Sequence, residues 1–172
     1  VDSDELTVFL IGMRINRPWK IHRWLPVARA MGQMIQELYA HPELGFRHVE
    51  SWFGRTTIMV QYWSSPEALD AYATGRNHAH LPAWQRFSRS VGSNGDVGIW
   101  HETYLIEPGQ YENVYNNMPA YGLAAAGTIH DATGPRARAD GRARSGAGTS
   151  ARTRSARHRP GGGRGRRSRQ RW

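Results

Sequence analysis

His101, Glu102 and Tyr104 put an acid, a base and a hydrogen-bond donor into one short stretch of this 172-residue chain. A histidine exchanges protons near neutral pH, a carboxylate gains basicity when water is removed, and a phenol can steady a developing oxyanion. The stretch runs Asp96-Val97-Gly98-Ile99-Trp100-His101-Glu102-Thr103-Tyr104. It is opened by the turn signal Ser93-Asn94-Gly95-Asp96 and closed by Pro108-Gly109. Its β-branched and aromatic content predicts a strand. Alternation then divides the three residues. Val97, Ile99, His101, Thr103 and Leu105 share one face, while Gly98, Trp100, Glu102, Tyr104 and Ile106 share the other. The first set is the more uniformly apolar and is expected to meet helices. Trp100, Glu102 and Tyr104 are then expected to line a cavity, with His101 turned toward the helices.

The remaining chemistry-bearing residues are dispersed. His22, His41, His48 and His130 are scattered, and the sequence has no HExxH pattern. His78 and His80 are two apart, a spacing that splays them about 200° on a helix and gives no joint metal site. His80 precedes Trp84 by one helical turn and shares a side with Phe87, so it is a candidate acid or base; the plainer reading is a buried histidine bonded to backbone. No glycine-rich phosphate loop stands between a strand and a helix, so no resident flavin or nicotinamide is expected. The chain has no cysteine, which excludes disulfides and thiolate chemistry.

These residues need a scaffold, and its elements are legible. Leu6 to Ile15 reads as a strand, with Thr7, Phe9, Ile11, Met13 and Ile15 on one face and Gly12 marking a bulge or a close approach on the other. A helix is predicted from about Ile21 to Ala40 on the stripe Trp24, Val27, Met31, Met34, Ile35 and Leu38. Pro26 belongs in a first turn, which puts the regular helix near Leu25. Leu44 to Phe53 and Thr56 to Trp63 read as a hairpin. On its second strand Thr57, Met59, Gln61 and Trp63 oppose Ile58, Val60 and Tyr62; Tyr62 and Trp63 point opposite ways, and either could reach a pocket. Ser64 or Ser65 caps a short helix that begins near Pro66 and stops at Gly75. A further helical piece is predicted over about 77–91. The order β-α-β-β-α-β is the ferredoxin-like split pattern, an α+β fold with four antiparallel strands and helices on one face. The other face is too apolar to stay wet, and a second copy of the sheet is expected to cover it in a dimeric barrel.

Residues 107–130 show no convincing period and are expected to form an ordered arm that completes a domain spanning 5–130. From Asp131 to Arg171 there is no Ile, Leu, Val, Met, Phe or Tyr, and a disordered tail over 131–172 is expected. The formal charge of +9 sits in this tail. Residues 1–142 hold 13 Lys+Arg and 14 Asp+Glu, whereas 143–172 hold ten arginines and no acid. The folded part therefore carries no basic footprint for nucleic acid, and such binding is expected only through the tail. No apolar run approaches the ~20 residues of a membrane helix. The opening Val1-Asp2-Ser3-Asp4-Glu5 is acidic where a leader would be positive, so a cytoplasmic protein is expected, with a true start upstream of Val1.

Several segments resemble a known family. Tyr62-Trp63-Ser64-Ser65-Pro66-Glu67-Ala68-Leu69-Asp70-Ala71-Tyr72 is similar to a strand exit and helix start in the dimeric α/β-barrel superfamily of antibiotic-biosynthesis-type monooxygenases. Asn77-His78-Ala79-His80-Leu81-Pro82-Ala83-Trp84, Ile99-Trp100-His101-Glu102-Thr103-Tyr104, Gly109-Gln110-Tyr111-Glu112 and Asn117-Met118-Pro119 resemble one subgroup, that of a fungal monooxygenase of fumagillin biosynthesis and its bacterial relatives. The likeness covers about residues 5–142. It implies a homodimer and a cofactor-independent monooxygenase for an apolar secondary-metabolite-type substrate. Glu102 or His80 would act as base, and Tyr104 or His101 would bond the oxyanion. Trp63, Tyr62, Trp84, Trp100 and Met59 would contact substrate. The superfamily also holds haem proteins, which implies a second reading with His80 or His101 as axial ligand to haem, and non-catalytic ligand-binding dimers, which imply a third.

Overall fold

The computed structural model describes residues 6–75 and 95–143. Strands β1 (Leu6–Ile15), β2 (Phe46–Trp52), β3 (Ile58–Trp63) and β4 (Val97–Ile106) form one antiparallel sheet in the order β2-β3-β1-β4. Helices α1 (Ile21–Ala40) and α2 (Pro66–Thr74) lie together on one face, the α+β ferredoxin-like arrangement predicted. The helix expected over 77–91, with His78, His80 and Trp84, lies outside the described residues.

The core forms where the helical stripe meets the odd-numbered side of β1 and β3. Met34 and Leu38 of α1 and Leu69 and Tyr72 of α2 pack on Phe46, Met59 and Trp63. A second cluster, Met13, Val27 and Val97, closes the other end. Trp63 is 0% exposed, and its indole donates to Gln61 Oε1 at 3.0 Å. Tyr72 donates to Glu37 Oε2 at 2.9 Å, and burial, then this bond, push its phenol upward. Ser65, rather than Ser64, caps α2: its Oγ accepts the Ala68 N–H at 3.2 Å, with Pro66 next in the first turn.

Helix α1 has the predicted span, Ile21–Ala40, but is regular from Ile21 rather than from near Leu25, so Pro26 is internal to it. The carbonyl that Pro26 leaves without an N–H belongs to exposed His22, where water can serve it. Strand β2 begins at Phe46 because Pro42–Leu44 is a 3-10 turn. Strand β3 begins at Ile58 rather than Thr56. The pairing of β2 with β3 also shifts between Phe46 and His48. Arg47 is the extra residue, so Phe46 faces the core while His48, Glu50 and Trp52 face away from it. Finally, the described chain passes residue 131 and continues to 143. Arg142 bonds Glu112 and the carbonyls of Arg136 and Ala137. Such polar contacts leave no trace in an apolar count. No helix among the described residues is long and apolar enough to cross a membrane.

Candidate functional site

Register assigns every strand residue to a side. His101 pairs with Ile11, Thr103 with Phe9 and Ile99 with Met13, so that set of β4 faces the helices. Phe9 and His101 rings lie 5.7 Å apart on that side. Glu102 pairs with Leu10, Tyr104 with Val8 and Trp100 with Gly12, all on the opposite, open face. Met59 and Trp63, expected to contact substrate, belong to the helix-side core. Tyr62 lies on the open face with Tyr104.

The open face is laid out in rows. One runs His48, Tyr62, Val8, Tyr104; the next runs Glu50, Val60, Leu10, Glu102. Beyond them Trp52 pairs with Ile58, and Gly12 with Trp100. The two edge strands thus carry matching sets, His48-Glu50-Trp52 and Tyr104-Glu102-Trp100. Three strand spacings, roughly 14 Å, separate them across an apolar floor.

On the β4 side, the Tyr104 hydroxyl donates to Glu102 Oε2 at 2.6 Å. This bond, and then the carboxylate's charge, raise the phenol above its ordinary range. Tyr104 is 49% exposed. Trp100 closes down on Gly12, where an added Cβ would stand 2.8 Å from the indole nitrogen and 2.1 Å from the Thr57 carbonyl oxygen. That close approach explains the glycine within β1.

On the β2 side, the arm covers the sheet. Glu50 Oε1 accepts the Gly122 N–H at 2.9 Å and lies 3.0 Å from His48 Nε2. His48 Nδ1 lies 3.3 Å from the Tyr39 hydroxyl. Tyr115 accepts the Ala124 N–H at 3.2 Å, and Tyr121 meets Trp52 edge-on. Burial first, then the neighbouring Tyr115, Glu50 and Tyr121, push the Tyr62 phenol up. Gly122 has φ +57, and a Cβ there would come within 3.1 Å of the Tyr62 hydroxyl. Sequence reading passed over Glu50 and set His48 aside among the scattered histidines. The signal that could have found them is the mirrored spacing, His-x-Glu-x-Trp in β2 against Trp-x-Glu-x-Tyr in β4.

Beyond the Trp100 end of this face, cations gather around one acid. Asp96 is 2% exposed and accepts Arg17 at 2.8 Å and Lys20 at 3.0 Å, with Arg23 Nε at 3.9 Å. The Lys20 bond, the largest favourable influence, holds its carboxyl below the usual range. Arg14 donates to Thr56 Oγ1 at 2.7 Å. Among the described residues no cluster of three or more His, Asp or Glu could hold a metal ion. A cavity of about 190 Å³ lies in the arm, lined in part by Tyr115, His130, Arg136 and Arg142 and by no strand residue.

A family model described as Monooxygenase af470-like matches residues 6–123. The chain is similar to Monooxygenase af470 of Aspergillus fumigatus, with 26% identity over 121 residues, 65% of this chain and 42% of that protein. It therefore spans less than half the length of that relative. A conserved protein from Methanosarcina mazei Go1 aligns with a TM-score of 0.41 and 13% identity, over 58% of this chain and 91% of the other.

Proposed function

The chain belongs to the Monooxygenase af470-like family, and on that footing we propose that it is a monooxygenase that oxidises an apolar substrate without a resident cofactor. The observation that carries the reading is the 2.6 Å bond from Tyr104 to Glu102 on the open sheet face, beside Trp100 and the apolar floor.

Glu102 removes a proton from a methylene acidified by a neighbouring carbonyl or aromatic ring. The carbanion reacts with dioxygen to give a peroxide, the O–O bond breaks, and the products are a ketone and water. The substrate supplies all four electrons, so one methylene and one dioxygen become one ketone and one water without an external reductant. Tyr104 donates to the oxyanion that forms as the C–H proton leaves. His80, outside the described residues, is the second candidate base. Among the described residues Glu102 and Tyr104 stay exposed on this half of the face. We assign its cover to a second copy of the chain, whose sheet would enclose a dry pocket.

Anthrone is a suitable probe, since oxidation of its methylene gives the coloured anthraquinone. Chain-dependent conversion with one oxygen atom from isotopically labelled dioxygen supports the reading. Full activity in both Glu102→Gln and His80→Ala sinks it. The purified chain is expected to lack a Soret band, and a strong one would move the reading to haem chemistry. Sedimentation is expected to give a dimer mass.

A further inference from the structure

Arg14 stands on the open face, two positions beyond Gly12 on β1 and paired with Gly98 of β4. It is exposed, and its guanidinium bonds a neutral hydroxyl, that of Thr56. Gly98 places no side chain beside it. A Cβ there would come no nearer than 3.7 Å to the Arg14 Cβ and 3.9 Å to Asn16 Nδ2, so the glycine leaves usable space rather than relieving a clash. Glu102 pairs with Leu10, four residues back along β1. Arg14 therefore lies about 13 Å from the Glu102 row, at the far end of the same half-face.

Charge at this end is one-sided. Arg14, Arg17, Lys20, Arg23 and Arg55 all act around residues 14–17 and 95–96. Among the described residues the ion pairs at this end converge on one acid, Asp96. The first turn of α1 contains no acid. Nor can 76–94 or 144–172 neutralise the surplus, because neither contains Asp or Glu. Asp2, Asp4 and Glu5 join the chain at the opposite end of β1, a strand some 33 Å long. A low-polarity floor that leads to a cationic notch suits one chemical class, an apolar molecule that ends in an oxyanion.

We propose that Arg14 is the specificity-determining residue of the open face: it binds the carboxylate end of an otherwise apolar substrate and so sets the distance between that end and the Glu102 base. This rests on the open face being the substrate site. Guanidinium supplies paired donors that match a carboxylate, and the surrounding cations strengthen the attraction.

The test needs no turnover. Decanoate and 1-decanol, probes of equal chain length, are titrated into the full chain while tryptophan emission is followed. The unmodified chain is expected to bind decanoate about tenfold more tightly than decanol. Arg14→Gln is expected to erase that preference and leave decanol binding unchanged. Arg14→Lys should restore part of it, and added salt should narrow it. Equal affinity for the two probes in the unmodified chain, failure to bind decanoate, or a preference that survives in Arg14→Gln overturns the proposal. The comparison of probes in the unmodified chain stands even if a variant does not fold. Loss of the oxygenase reading in the anthrone assay, with the decanoate preference intact, would separate the two outcomes.

Discussion

Glu50 and Glu102 share a row of one sheet face, with Val60 and Leu10 between them. Their surroundings differ in kind. Glu50 is enclosed: one oxygen takes the Gly122 N–H and faces His48, and the arm lies above it. Glu102 is exposed, and among the described residues its hydrogen-bond partner is the Tyr104 phenol. A carboxylate that holds a backbone N–H beneath a covering arm keeps that arm in place. A carboxylate on an uncovered face, aligned by a phenol, can still take a proton. The difference follows the arm, since both edge strands place a Glu and a Trp in the same rows.

The widest separation expected between the two is in turnover. Glu102→Gln should lower the anthrone rate by about 10²- to 10⁴-fold. Unfolding free energy should stay within about 0.5 kcal/mol, as for other exposed changes. Conversely, Glu50→Ala should cost about 1–3 kcal/mol in urea unfolding, because it leaves the Gly122 N–H without its acceptor. Hydrogen exchange at Gly122 should speed up in the same variant. Equal stability losses for the two variants would break the comparison. A smaller effect is expected at Gly122→Ala, about 1 kcal/mol, from its positive φ and the nearby Tyr62 hydroxyl.

The finest effect is a titration. Glu102 holds the Tyr104 phenol above its ordinary value. The folded chain then keeps this proton longer than the unfolded chain. The resulting stability is complete below about pH 10, the unfolded value, and is lost as pH rises through the folded one. In Glu102→Gln the Tyr104 phenol should ionise at lower pH, read as phenolate absorbance. No change in that titration would mean that the Tyr104–Glu102 bond does not form in solution.

Much of this frame was legible in residue order. Period separates strands from helices, and alternation alone put Glu102 and Tyr104 opposite His101. The matched family agrees with the resemblance carried by Tyr62–Tyr72 and Ile99–Tyr104. Three features were not legible. The extra residue at Arg47 breaks alternation in β2, so a simple odd-even reading groups Glu50 with Phe46. The acceptor role of Glu50 depends on a backbone N–H 72 residues away, and no local pattern encodes it. On β3, Tyr62 and Trp63 are both aromatic, and hydrophobicity does not say which is inside. Register does: Trp63 pairs with Thr7 and Phe46, on the side of the helices.

The surplus residue in β2 also bears on how this strand tolerates changes in length. Within a paired strand, gaining or losing one residue normally inverts the side of everything beyond it. At Arg47 the ladder already sets two residues against one. Removing it would leave Phe46 and His48 as ordinary neighbours on opposite sides, with Glu50 and Trp52 still facing outward. Parity in β2 is therefore protected at one position, and that is where a natural deletion could pass without turning the site inside out.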